Sequence, residues 1–78
     1  MKVELGELRD VLVTTFSSSQ IPDDVSELKM NDIDEWDSLG NFTLLLAVEE
    51  RFNFKFDLSE MPELNSVSAI IRALERKE

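Results

Sequence analysis

The chain has 78 residues, 42% of them apolar, and a formal net charge of -9, with neither cysteine nor histidine. This length suffices for one domain over residues 1–78 with one modest core, and the missing cysteines exclude disulfides and thiolate metal sites and fit a cytoplasmic protein. The absence of histidine argues against an enzyme, and the negative charge argues against nucleic-acid partners and favours proteins with basic patches.

The first predicted element is an amphipathic helix over residues 3–16, in which Leu5, Leu8 and Leu12 recur at helical spacing. Serines at positions 17–19 end that pattern, and a long loop follows. The apolar residues of the loop recur too regularly for a disordered linker, and we expect them to pin it to the core: Ile21, Val25, Leu28, Met30, Ile33 and Trp36. We interpret Trp36 as an anchor of the loop rather than as a residue that stacks on a ligand.

The same loop is strongly acidic. Residues 23–37 hold seven acids against Lys29 alone: Asp23, Asp24, Glu27, Asp32, Asp34, Glu35 and Asp37. Partner docking and a plain solvated surface both remain open for this segment. An EF-hand is excluded, because a loop counted from Asp32 has Asp37 where the turn needs Gly and Thr43 where it needs Glu. We expect no metal site.

Asp37 and Ser38 supply an N-cap for a second helix over residues 39–52. The apolar residues of this helix cover a broad arc, so we expect it to be the central helix. Its core residues are predicted to be Leu44, Leu45, Leu46 and Val48. The longest apolar run, Leu44–Val48, is too short for a membrane span, and the N-terminus lacks the apolar core of a signal peptide.

Residues 53–56 alternate like a strand but have no predicted partner strand, so we expect a connector. Residues 57–60 have the spacing of a capping box and predict a short third helix that ends near Pro62. The last helix follows Asn65 and Ser66 and has the clearest helical spacing in the chain, at Val67, Ile70, Ile71 and Leu74. The predicted fold is all-α, a small four-helix bundle of three main helices and one short helix with a long first loop. We expect a monomer.

The segment Trp36-Asp37-Ser38-Leu39-Gly40, which follows the acidic loop and opens the central helix, resembles the acyl carrier protein family. The resemblance covers nearly the whole chain and includes Ala47–Phe52, Phe56 and Leu64–Val67. It implies that a phosphopantetheinyl transferase attaches 4'-phosphopantetheine from coenzyme A to Ser38. The chain would then be a non-catalytic carrier, shuttling a thioester-bound acyl group between acyl-loading and acyl-accepting enzymes.

Physical chemistry agrees with this role for Ser38. A helix start exposes the hydroxyl, and the free N–H groups and partial positive charge there favour a nearby phosphate. Without an imidazole to activate it, Ser38 cannot be a self-sufficient catalytic nucleophile. The alternative interpretation is that Asp37 and Ser38 are only a helix cap.

Two positions depart from the family members that serve fatty-acid synthesis, which commonly carry acids where this chain has Gly40 and Thr43. An acid at position 40 is expected to stabilise the first helical turn, since Gly is unfavourable within a helix. The second helix retains Glu49 and Glu50, offset by Arg51. Partner contacts are predicted at Asp37, Leu39, Phe42, Glu49 and Glu50.

A Gly after the Asp-Ser-Leu triplet also occurs in D-alanyl carrier proteins and in carriers of dedicated biosynthetic clusters, which this chain resembles in that respect. We therefore expect a carrier for a dedicated pathway. A D-alanyl carrier is the first alternative. A small acidic adaptor that binds a basic protein without any prosthetic group is the second.

Overall fold

The computed structural model describes residues 3–76, and the regular structure within that range is helical. Helix α1 spans Leu5–Thr15, α2 spans Ser38–Phe52 and α3 spans Val67–Arg76. The all-α prediction is confirmed. Each predicted main helix is present, and α1 is shorter than predicted at both ends. In the part of the chain described here, no helix has the length and apolarity that crossing a membrane requires.

The fourth helix is not formed where the sequence predicted it. Residues 58–60 make a turn, in which the Glu60 side chain accepts a hydrogen bond from the Asp57 N–H at 3.1 Å, and only a 3-10 turn over Met61–Glu63 follows. The capping interaction is therefore present, but Pro62 lies one turn later. Its ring would clash with the carbonyl of residue 58 in a continuing α-helix, and it has no N–H to donate.

One core joins the three helices and the loop. The buried apolar side chains are Val3, Leu8, Val11, Leu12, Phe16, Ile21, Val25, Ile33, Trp36, Leu44, Leu45, Val48, Phe56, Met61, Leu64, Val67, Ile70, Ala73 and Leu74. Leu46 was predicted to belong to this core and does not, since 46% of it is exposed. One residue turns a helix by about 100°, so Leu46 points away from the face that carries Leu45.

The long loop between α1 and α2 is pinned to the core as predicted. Ile21, Val25, Ile33 and Trp36 are buried in it, and Leu28 and Met30 pack against it. Arg9 of α1 fixes the start of the loop, because its guanidinium donates to the backbone oxygens of Pro22 and Ile21 at 2.8 and 3.0 Å.

The middle of the loop is bound to the start of α3. Lys29 and Ser66 form an isolated antiparallel bridge. On either side of it, the Met30 N–H donates to the Asn65 carbonyl at 2.8 Å and the Val67 N–H donates to the Leu28 carbonyl at 3.0 Å. The Leu28 carbonyl thereby satisfies one of the free N–H groups at the beginning of α3.

Candidate functional site

Ser38 is the first residue of α2 and is exposed. The capping role belongs to Asp37, whose backbone is extended and whose side-chain Oδ1 accepts the Gly40 N–H at 2.8 Å. Within residues 3–76 the Ser38 hydroxyl has no hydrogen-bond partner. Asp37 is therefore sufficient as the cap, and the Ser38 hydroxyl at the helix start is available for chemistry.

Gly40 is required by a close approach of the preceding loop. A Cβ built on residue 40 would collide with the backbone carbonyl oxygen of Glu35 and would also crowd the Asp37 carboxylate. The expectation that an acid at position 40 stabilises the first turn is therefore wrong. Helix propensity favours the substitution, but the contact with Glu35 leaves no room for a side chain.

Trp36 anchors the loop two residues before Ser38, as the sequence predicted. It is fully buried and stacks on Phe16 with ring centroids 5.9 Å apart. Its Nε1–H donates to Oδ1 of Asn41 in α2 at 2.8 Å, and its carbonyl accepts from Asn31, which has a positive φ of 78°. The loop that presents Ser38 is thus held by packing, by a buried hydrogen bond and by a backbone turn.

Asn41 was not singled out from the sequence. It is the one buried polar side chain among the described residues, with 6% of its surface exposed. Its only sequence signal is an amide within the apolar part of α2, five residues after a tryptophan. A helix pattern shows that such a residue faces the core, but it does not show which loop residue meets it there.

A mainly apolar groove opens beside Ser38. It has a volume of about 330 Å³ and is lined by Met30, Ser38, Asn41, Phe42, Leu45, Leu58, Met61 and Pro62. The loop, the start of α2 and the turn after Asp57 form its walls. Its volume lies at the lower end of the range, roughly 300 to 1,000 Å³, that is usual for pockets that bind small ligands.

The five predicted partner contacts fall into two groups. Asp37, Leu39 and Phe42 lie near Ser38, where Leu39 is 75% exposed and Phe42 is 46% exposed. Glu49 and Glu50 lie near the other end of α2, and Glu50 is about 18 Å along the helix axis from Ser38. The exposed Leu46 lies between the two groups, because Phe42, Leu46 and Glu50 follow one another at four-residue spacing along one side of α2.

The charges at the second end differ from the sequence interpretation. Arg51 lies 4.0 Å from the Glu7 carboxylate and 3.9 Å from the Asp10 carboxylate, both on α1. The positive charge of Arg51 therefore compensates these two acids of α1 and does not offset the charges of Glu49 and Glu50. Glu49 has a structural role, since its Oε2 accepts the Phe56 N–H at 2.8 Å, whereas Glu50 is exposed.

Two carboxylates of the acidic loop are stabilised locally. The side-chain hydrogen bond from Lys29 lowers the pKa of Asp32, whose two oxygens accept from Nζ and from the backbone N–H of Lys29 at 3.1 Å each. The backbone hydrogen bond from Ser26 lowers the pKa of Asp24. Over residues 3–76, no three acidic side chains converge in a way that could hold a metal ion.

Comparison with known proteins gave no match to a family model, to a curated protein or to a solved structure. The resemblance to acyl carrier proteins accordingly rests on the sequence motifs alone. Three local features define the candidate site in the described range: a Ser38 hydroxyl without a hydrogen-bond partner there, the helix start that carries it and the adjacent groove.

Proposed function

We propose that this chain is a non-catalytic carrier, in which Ser38 receives 4'-phosphopantetheine and the arm holds an acyl group as a thioester. The observation that carries the proposal is the position of Ser38. Ser38 is exposed at the first residue of α2, its hydroxyl has no hydrogen-bond partner within residues 3–76, and the same residue lines an apolar groove. A residue kept only as a helix cap would be expected to use its hydroxyl for capping, and Asp37 does this instead.

The start of α2 supports a phosphodiester at this place. The Gly40 and Asn41 N–H groups are taken by Asp37, while those of Ser38 and Leu39 have no acceptor in the described range. Free N–H groups at a helix start stabilise a nearby anion by about 0.3 to 1 kcal/mol at an exposed site. The negative charge of the Asp37 carboxylate opposes this effect. Because the chain has no imidazole to activate the Ser38 hydroxyl, the transferase must activate it.

The groove favours an acyl cargo with a hydrocarbon segment over a D-alanyl group. A D-alanyl thioester carries a charged ammonium and gains nothing from an apolar lining, whereas a hydrocarbon segment does. The exposed Leu39 and Phe42 offer partners an apolar contact next to Gly40 and Thr43, the positions at which carriers that serve fatty-acid synthesis commonly have acids. We therefore place the carrier in a dedicated cytoplasmic pathway, as a monomer, with the D-alanyl carrier as the first alternative and an adaptor without prosthetic group as the second.

The experiment is intact-mass measurement after incubation with coenzyme A and a promiscuous phosphopantetheinyl transferase. The wild type should gain the mass of one arm, and Ser38→Ala should gain none while keeping its helical circular dichroism, because Asp37 provides the cap. Ser59→Ala, which removes another exposed hydroxyl, is the matched control and should load normally. A wild type that stays unmodified, or a Ser38→Ala chain that still gains the arm, would refute the proposal.

A further inference from the structure

The Asn41 side chain leaves a hydrogen-bond donor available in the groove. A Trp indole N–H can only donate, so the Asn41 atom that meets it at 2.8 Å must be the carbonyl oxygen Oδ1. The NH2 group, Nδ2, therefore points away from Trp36. Among residues 3–76 no acceptor is bonded to Nδ2. In the same range, however, every fully buried side-chain nitrogen or oxygen atom has a hydrogen-bond partner, so Nδ2 cannot be fully buried.

Nδ2 must consequently reach open space, and the open space that Asn41 lines is the groove beside Ser38. Apart from Ser38 itself, the other lining side chains are apolar: Met30, Phe42, Leu45, Leu58, Met61 and Pro62. An apolar groove with a single fixed amide donor does not suit a plain hydrocarbon. A hydrocarbon would displace the water that solvates Nδ2 and leave its N–H groups unpaired, which disfavours occupancy by at least about fivefold.

We propose that Asn41 selects the cargo by donating a hydrogen bond from Nδ2 to a carbonyl or hydroxyl oxygen of the acyl group. The preferred cargo class is then an oxygenated acyl chain, such as a β-keto or β-hydroxy chain, over a saturated one of equal length. This inference rests on the proposed function, since it concerns the group that Ser38 carries. The hydrogen bond to Trp36 makes Asn41 selective, because it prevents the amide from turning its oxygen toward the groove.

The test attaches the cargo without a transferase, so that it can fail independently of the carrier proposal. The chain has no cysteine, and Ser38→Cys therefore supplies a single thiol at the mouth of the groove. This thiol is alkylated with two iodoacetamide reagents, one with a hexyl tail and one with a tail of the same length that contains a ketone. Both share the linker amide, so the difference between them reports the oxygen of the tail.

The ketone adduct should melt higher than the hexyl adduct by roughly 4 to 8 °C, the shift that a net hydrogen bond produces in a domain of this size. It should also shift the Asn41 side-chain NH2 resonance in a ¹⁵N–¹H spectrum. Asn41→Asp keeps an acceptor for Trp36 but, when ionised, has no donor, and it should abolish the preference. Asn65→Asp makes the same change at an exposed position and should retain it.

Equal melting temperatures and an unshifted Asn41 resonance would overturn the inference, as would a preference that survives in Asn41→Asp. An NH2 shift of the same size in both adducts would assign the donor to the linker amide, and hence to the arm instead of the cargo, and would also overturn it. The resonance is read in the unsubstituted Asn41 background, so the test does not depend on how well Asn41→Asp folds. Loading of the wild type by the transferase separately decides the carrier proposal.

Discussion

The backbone carbonyl oxygen of Glu35 occupies the space that a side chain on Gly40 would need. This contact brings the end of the acidic loop onto the first turn of α2 and thereby sets where Ser38 emerges. The packing of the site therefore requires Gly at position 40, independently of any effect of this residue on partner choice.

Gly40→Ala should destabilise the protein by about 1 to 3 kcal/mol, because the added methyl overpacks the contact with Glu35. Gly6 is the matched control, since it is also helical and a Cβ there has nothing within 4 Å. Gly6→Ala should stabilise by roughly 0.5 to 1 kcal/mol. Urea unfolding of both variants measures the difference, and two stabilising substitutions would contradict the described contact.

Partner choice is best tested through Thr43, which is exposed on α2. Thr43→Glu should raise the rate of malonyl transfer to the holo protein from ordinary fatty-acid synthesis enzymes at low ionic strength, and salt should reduce the gain. Thr14→Glu on α1 adds the same charge at another exposed position and should have little effect. If the wild-type holo protein already accepts malonyl groups as fast as an ordinary fatty-acid carrier, its set of partners is not restricted and the hypothesis is refuted.

The buried hydrogen bond between Trp36 and Asn41 should be visible in stability and in fluorescence. Asn41→Leu leaves the Trp36 N–H buried without an acceptor and should destabilise the fold by about 1 to 3 kcal/mol. The double variant Asn41→Leu/Trp36→Phe removes both hydrogen-bond partners. Its loss in free energy of unfolding should be smaller than the sum of the losses in the two single variants. Trp36 is the only tryptophan, so its emission follows unfolding of the loop in the Asn41 variants. Strict additivity would show that the pair contributes no coupling.

The pair formed by Lys29 and Asp32 should make a pH-dependent contribution to stability. The lowered pKa of Asp32 means that the folded state favours its ionised form. The contribution is therefore fully present above the unfolded pKa of about 3.9 and is lost as the pH falls through the lower folded pKa. The melting temperature of Asp32→Asn should lie below that of the wild type at neutral pH, and the gap should close in acid. A gap that widens on acidification would reverse the assigned direction.

Much of the fold follows from local sequence signals. The α2 start could be predicted because Asp37 is a strong cap, and α3 could be predicted because Val67, Ile70 and Leu74 share one face that is fully buried. Trp36 was recognisable as an anchor because a large apolar ring in a charged loop has few other stable places. These signals depend only on residues near one another along the chain.

What the sequence could not provide depends on distant contacts. Helix spacing does not reveal that Glu35 closes over Gly40, that Arg51 turns toward α1, or that the buried arc of α2 excludes Leu46. The groove beside Ser38 also requires the turn after Asp57 to come near the head of α2. Each of these features is set by how elements pack, and such packing has no fixed spacing in sequence.

The bridge between Lys29 and Ser66 also has a consequence for synthesis on the ribosome. The loop contributes its Met30 N–H and Leu28 carbonyl to partners at Asn65 and Val67, which are translated more than thirty residues later. Until those residues leave the exit tunnel, the loop preceding Ser38 lacks the backbone partners that hold its middle. A modifying enzyme that requires the ordered loop would therefore act only after residues 65–67 have emerged, and shorter nascent chains would remain unmodified.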